Sequence, residues 1–371
     1  MHSDVIFVLV VGTALAFDFT NGFHDTANVV ATSISTRALP PRVAIGLASL
    51  LNFAGAFISL KVAATVGKGI VDAGSVTGHP TIVFAGLVGA IAWNVITWYY
   101  GLPSSSSHVL FGGVVGATLA AVGSGAVMSH GLLGKVVVPG LVAPLLAFVV
   151  AAIAIIAAYR IVGRLRPGPV GSGFRAGQVV SGGMLALAHG TNDAQKTMGV
   201  IGLALVAHGD ISASHFQIPE WVVISAATAI ALGTYAGGWR IIRTMGSRII
   251  KMDSAQGFAA QGSGAAVILA ASHVGFPLST THVISGGVMG AGAAKRLSAV
   301  RWGVAGNIVL AWLLTIPAAG GFGAIVYGIT RAFGVNSEAG PVIVSAAILL
   351  GTALVFARRV RRGSPLTAAE T

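Results

Sequence analysis

Apolar stretches recur along the whole chain, near residues 4–36, 43–60, 81–100, 105–125, 138–160, 177–207, 221–239, 256–275, 280–294, 302–328 and 341–357. A helix needs about 20 apolar residues to cross a bilayer. The first and sixth stretches are over-long by that measure, and the ninth is short. Polar motifs interrupt the same stretches, which predicts helices that break or re-enter at those motifs, where irregular backbone must line a cavity or be covered by protein. The pattern predicts an all-α integral membrane protein with about 10–12 transmembrane segments.

Composition agrees. Of 371 residues, 55% are hydrophobic and 9% are charged, against about 25% charged in a soluble domain. The 52 glycines suit close helix packing within a membrane. With no cysteine, disulfides, thiolate chemistry and cysteine metal sites are excluded. The first stretch lacks a basic leader and carries Asp4, so it reads as a retained helix rather than a cleaved signal. The net charge of +12 sits in short connections, without a basic stripe carrying interleaved aromatics, and does not suggest nucleic acid.

Those connections set an orientation. If each stretch crosses once, the basic loops fall on the inside: Arg37 and Arg42; Arg160, Arg164, Arg166 and Arg175; Arg240, Arg243, Arg248 and Lys251; Lys295, Arg296 and Arg301; and the run Arg358 to Arg362. The connection at 207–220 has no basic residue and carries Asp210 and Glu220, and that at 61–80 has only Lys61 and Lys68 against Asp72. The N-terminus is then outside.

The chain also repeats itself. Asn21-Gly-Phe-His-Asp25-Thr-Ala-Asn28 is matched by His189-Gly-Thr-Asn-Asp193-Ala-Gln-Lys196, with the aspartates 168 residues apart. Pro103-Ser-Ser-Ser-Ser-His108 is matched by Pro277-Leu-Ser-Thr-Thr-His282, with the histidines 174 apart. Five crossings per half would insert the second copy upside-down. Two inverted-topology repeats are a common transporter architecture. The expected organisation is an N-terminal repeat at 1–162, a short basic cytoplasmic linker at 163–176, an inverted C-terminal repeat at 177–335, and a further helix with a basic cytoplasmic tail at 336–371.

A carboxylate at the bilayer centre costs about 2.5–3.5 kcal/mol on insertion scales. Asp25 and Asp193, at equivalent places and flanked by Asn21, Asn28 and Asn192, point to cation or proton coupling. Asp193 also has Lys196 within reach, and that pair is expected. Asp18 has no counterpart in the second half. The hydroxyls of Ser105, Ser106, Ser107, Ser279, Thr280 and Thr281 precede glycine-rich helices. Each run read alone would be plain capping. Two such helix starts converging would cradle a tetrahedral oxyanion. His108 and His282 are either proton shuttles or structural. His24 and His189 do not share a register and are weaker candidates.

These motifs resemble the inorganic phosphate transporter (PiT) family, which includes the eukaryotic type III sodium–phosphate cotransporters. The likeness rests on Gly22-Phe-His-Asp25-Thr-Ala-Asn28, on His189 to Gly199, and on both Pro…Ser/Thr…His runs; Gly238 to Gly246 and Gln256 to Ala260 also look like the family's second half. The resemblance implies Asp25, Asp193, Asn28 and Asn192 as the central cation and phosphate region, with Na+ held at Asp25 and Asp193 if sodium is the coupling ion, and phosphate on the two hydroxyl runs. Many relatives carry glutamate near Asn52 and Gln261, whose neutral amides here ligate a cation without balancing its charge. The short linker looks bacterial, as does a cell inner membrane location.

The functional expectation is a symporter importing inorganic phosphate, alone or as a metal–phosphate complex with a divalent metal, coupled to Na+ or H+. A sulfate permease of the same family and a passive anion channel are the alternatives. No nucleophile–base set or resident cofactor is expected, and the surroundings are lipid, with a homo-oligomer compatible with the sequence.

Overall fold

The computed structural model describes residues 4–335 and 337–361. About 82% of the chain is helical, and the described residues contain no strand. In chain order the helices are α1 (Asp4–Ser35), α2 (Pro41–Gly55), α3 (Lys61–Gly69), α4 (Ala73–Val76), α5 (Pro80–Tyr100), α6 (Ser106–Val122), α7 (Ser129–Leu132) and α8 (Val138–Val162). They continue with α9 (Pro167–His208), α10 (Glu220–Ala236), α11 (Trp239–Arg243), α12 (Ser254–His273), α13 (Thr280–Ala293), α14 (Trp302–Arg331) and α15 (Ala339–Arg361). The end of the basic tail, including Arg362, lies outside the described residues.

Several boundaries differ from the sequence reading. Helices α1 and α9 run through their aspartate motifs without a break, so the extra length comes from uninterrupted helices of 32 and 42 residues. Their polar residues are covered by neighbouring helices, which removes any need for the backbone to unwind. The breaks fall at the Ser/Thr runs. Residues 61–80 hold α3 and α4, and 167–176, within the expected linker, form the first turns of α9. The stretch at 221–239 ends at Gly237 (φ 70°), where Glu220–Ala236 and Trp239–Arg248 meet at 61°.

By length and apolar composition, four helical segments among the described residues can cross a membrane (Asp4–Ser35, Pro80–Tyr100, Ser129–Val162 and Trp302–Arg331), or five with the bent pair counted as one. Helices α9 and α12 fall short of that measure because they carry polar residues, and these point inward. From Ala188 to Ala207 every residue of α9 is buried. The outer helices show the opposite pattern: Leu141, Leu145, Val149 and Ile153 of α8 are exposed, as expected of a face against lipid.

The halves interlock. Helix α6 packs on α5 and α14, while α13 packs on α12 and α8; α1 packs on α10, while α9 packs on α2. The last two contacts need glycine. A Cβ at Gly22 of α1 would lie 2.3 Å from the Ile230 carbonyl oxygen of α10, and one at Gly190 of α9 would lie 2.1 Å from the Asn52 carbonyl oxygen of α2. Backbone cannot yield to such an overlap, so only glycine admits this approach. Gly22 and Gly190 each stand three residues before an aspartate, so the contacts that seat the two long helices also fix the height of the two carboxylates.

Candidate functional site

The two helix breaks share one backbone design. Helix α5 ends at Gly101 (φ 66°) and the turn after α12 holds Gly275 (φ 83°). Leu102 N–H donates to Thr97 O and Phe276 N–H to Ala271 O, both at 2.9 Å; Ser104 N–H donates to Leu102 O (2.9 Å) and Leu278 N–H to Phe276 O (3.0 Å). Each chain then enters a helix through a serine cap. Ser105 Oγ accepts from His108 N–H at 3.1 Å and Ser279 Oγ from His282 N–H at 3.3 Å.

The hydroxyls just inside those helices meet the aspartates of α1 and α9. Ser106 Oγ donates to Asp25 Oδ2 at 2.6 Å, and Thr281 Oγ1 to Asp25 Oδ1 at 3.3 Å. Thr280 Oγ1 stands between the carboxylates, 3.1 Å from Asp193 Oδ2 and 3.5 Å from Asp25 Oδ2. Asn28 Nδ2 donates to Thr281 Oγ1 at 2.9 Å. On the other side Lys196 Nζ donates to Asp193 Oδ1, to Ser107 Oγ (2.5 Å) and to the Leu278 carbonyl (2.6 Å). Ser107 Oγ in turn donates to Leu278 O at 3.1 Å. None of Asp25, Asp193, Lys196, Ser106, Ser107, Thr280 or Thr281 is more than 3% exposed. The centre is closed to both faces of the molecule.

Two histidines discounted on register belong to this centre. His24 Nδ1 pairs with Asp25 Oδ1 at 2.9 Å, and its Nε2 lies 3.2 Å from Thr97 Oγ1 and 3.4 Å from Ser104 Oγ. His189 Nε2 lies 3.1 Å from Asp193 Oδ2, while its Nδ1 pairs with Asn52 Oδ1 at 3.1 Å. Asn52 Nδ2 continues to Thr234 Oγ1 at 2.8 Å, so Asn52 reaches the centre through His189. The available signal was spacing: His189 sits one helical turn before Asp193 on the same face. Asn192, at the place equivalent to His24, donates to Ser272 Oγ (2.7 Å) and Phe276 O (3.2 Å). Both residues therefore brace the break beside their aspartate.

Other candidates stand apart. Ser105 and Ser279 are occupied as caps. The rings of His108 and His282 pack edge to face, 4.7 Å apart, and His282 Nδ1 pairs with Gly140 O at 3.0 Å; neither hydrogen-bonds a carboxylate among the described residues. Gln261 donates to Ser33 Oγ (2.8 Å) and Val29 O (3.2 Å), which places it away from the aspartates along α1.

The centre has acceptors in excess. Asp18, fully buried, faces the Asn21 and Thr197 side chains and lies near Asp193 and Lys196, yet neither of its oxygens makes a hydrogen bond. The Oδ1 atoms of Asn21, Asn28 and Asn192 are likewise buried without a donor. The Asp25 and Asp193 carboxylates face one ammonium group, that of Lys196. Asp25, His189 and Asp193 each offer a ligand atom, all within 4.8 Å of one another. Unsatisfied buried oxygens and surplus negative charge are what a cation would relieve.

Comparison with known proteins identifies the family. The model of the phosphate transporter family matches residues 21–170 and 164–323. A Mycobacterium tuberculosis protein described as a probable low-affinity inorganic phosphate transporter is 52% identical over 357 residues, covering 96% of this chain and 84% of its own length. A Bacillus subtilis protein of the same description is 44% identical over 87% of this chain and 96% of its own. A solved structure, described as the sodium-dependent phosphate transporter, superposes with a TM-score of 0.79 at 25% identity, covering 88% of this chain and 99% of that one. The chain belongs to the phosphate transporter family and is a multi-pass protein of the bacterial cell membrane.

Proposed function

We propose that this chain imports inorganic phosphate by cation-coupled symport, with the two halves, in inverted topology, alternating access to the centre built on Asp25 and Asp193. The observation that carries this reading is the sharing of donors. Ser106, Thr280 and Thr281, which sit at two helix N-termini suited to an oxyanion, spend their protons on carboxylates. A cation held by Asp25 and the free Asn28 Oδ1 would release those hydroxyls to turn toward phosphate. Anion and cation then bind together or poorly, which is the local origin of coupling.

The field argues the same way. Moving a dianion into a cell at −100 mV is opposed by about 4.6 kcal/mol, at about 2.3 kcal/mol per charge. Co-bound cations remove that opposition. The solved relative's description names sodium for that protein; here Na+ and H+ both suit carboxylate and amide oxygens. The grouping of Asp25, His189 and Asp193 favours a second form of the cargo, a divalent metal–phosphate complex, since imidazole with two carboxylates suits such ions. The relatives' descriptions name phosphate and not sulfate, and coupling carboxylates would have little use in a passive channel.

The test is uptake of labelled phosphate into liposomes containing the purified protein, with sodium and proton gradients imposed separately and sulfate as competitor. Accumulation driven by one of the gradients and resistant to sulfate is expected. Uptake that only equilibrates, whichever gradient is applied, would overturn symport.

A further inference from the structure

The two aspartate motifs are equivalent in register, and at one of the positions where they differ an amide is exchanged for an ammonium group. Asn28 and Lys196 each stand three residues after their aspartate. Lys196 Nζ is held by Asp193, the Ser107 hydroxyl and the Leu278 carbonyl. At the same register the first half offers Asp25, the Thr281 hydroxyl and the Ser104 carbonyl, since Ser107 and Thr281, like Ser104 and Leu278, lie 174 residues apart. Two of these are already linked, with Thr281 Oγ1 3.3 Å from Asp25 Oδ1 and Asn28 Nδ2 2.9 Å from Thr281 Oγ1. The Asn28 carbonyl oxygen is buried and has no donor.

We infer that the Lys196 ammonium is a tethered cation, filling in the second half the oxygen cage that a mobile coupling cation fills in the first. Carboxylate, hydroxyl and backbone carbonyl are the ligands that transporters use for alkali ions at broken helices. An ammonium is a compact point charge that fits the same cage. Because it is covalently attached, it cannot cross with the cargo. It neutralises Asp193 throughout the cycle and leaves Asp25 as the carboxylate whose charge is carried by a free ion. The consequence is one fewer coupling cation per phosphate than a protein with amides at both positions would use. A purely structural Asp193–Lys196 pair would have no effect on that number.

The inference rests on the symport reading above, and the test separates the two. In liposomes, with whichever of the sodium and proton gradients drives the native protein, the gradient that just balances a fixed phosphate gradient gives the number of cations per phosphate. Lys196→Asn, which copies the first half, is expected to raise that number by one and to steepen the dependence of uptake on cation concentration. An unchanged number overturns the inference while leaving symport standing. So does an inserted Lys196→Asn protein that no cation concentration activates, because the opened cage then takes no free ion. If Lys196→Asn does not reach the membrane, Asn28→Lys carries the test: a tethered ammonium at both cages should abolish cation-driven accumulation while phosphate still equilibrates. Retention of the native number by Asn28→Lys overturns the inference. A native protein driven by neither gradient overturns the symport reading itself.

Discussion

The Asp25 and Asp193 sides of the centre place a carboxylate at the same register of two long helices, yet one is loose and the other is clamped. Asp25 is held by a histidine and by hydroxyls from both Ser/Thr runs, partners that can turn away. Asp193 is held by a lysine one turn along its own helix, which is itself fixed by Ser107 and Leu278. Two carboxylates from separate helices meet at one centre with different partners. The loose side suits an ion that comes and goes, and the clamped side suits permanent charge balance.

Substitutions can break this comparison. The largest effect is expected at Asp193: Asp193→Asn leaves a buried ammonium without its partner, a loss of about 3–5 kcal/mol. The yield of inserted, monodisperse protein should fall steeply, and Asp193→Asn combined with Lys196→Met should recover it. Asp25→Asn, by contrast, should insert normally and lose concentrative uptake. Forfeiting one coupling charge at 100 mV lowers the attainable gradient by about 2.3 kcal/mol, roughly 50-fold. Thr280→Ala removes the hydroxyl shared by both sides and should raise the half-saturating phosphate concentration roughly 10-fold or more, at about 1.5–3 kcal/mol for a hydrogen bond to a charged group. The smallest effect belongs to Ser105→Ala and Ser279→Ala, which cost a helix cap of about 1 kcal/mol. These two should lower thermal stability with little change in half-saturation.

Much of this was legible in the sequence, and the reasons differ by residue. The aspartates and the hydroxyl runs announced themselves because polar residues inside apolar sequence recurred at nearly one offset. The Asp193–Lys196 pair followed from its three-residue spacing. The continuity of α1 and α9 was not legible, because hydropathy records that a residue is polar but not that another helix covers it. The glycines at 22 and 190 show their purpose only in the structure, where a Cβ would lie within 2.3 Å of a carbonyl oxygen of the facing helix. His24 and His189 occupy different registers, which hides them in a repeat comparison, yet each reaches its carboxylate, one as the preceding neighbour and one from a full turn away. Family likeness alone puts Gln261 with the cation ligands, and its hydrogen bonds to Val29 and Ser33 put it beside a different stretch of α1.

In the symport proposed above, Asp25 couples a cation to phosphate, and that role stands or falls on accumulation. It is tested most directly by comparing the steady-state phosphate accumulation ratio of the native protein and Asp25→Asn in matched liposomes under one imposed cation gradient. The expected ratio is well above one for the native protein and one for the variant, at equal insertion. Equal accumulation by both would contradict it.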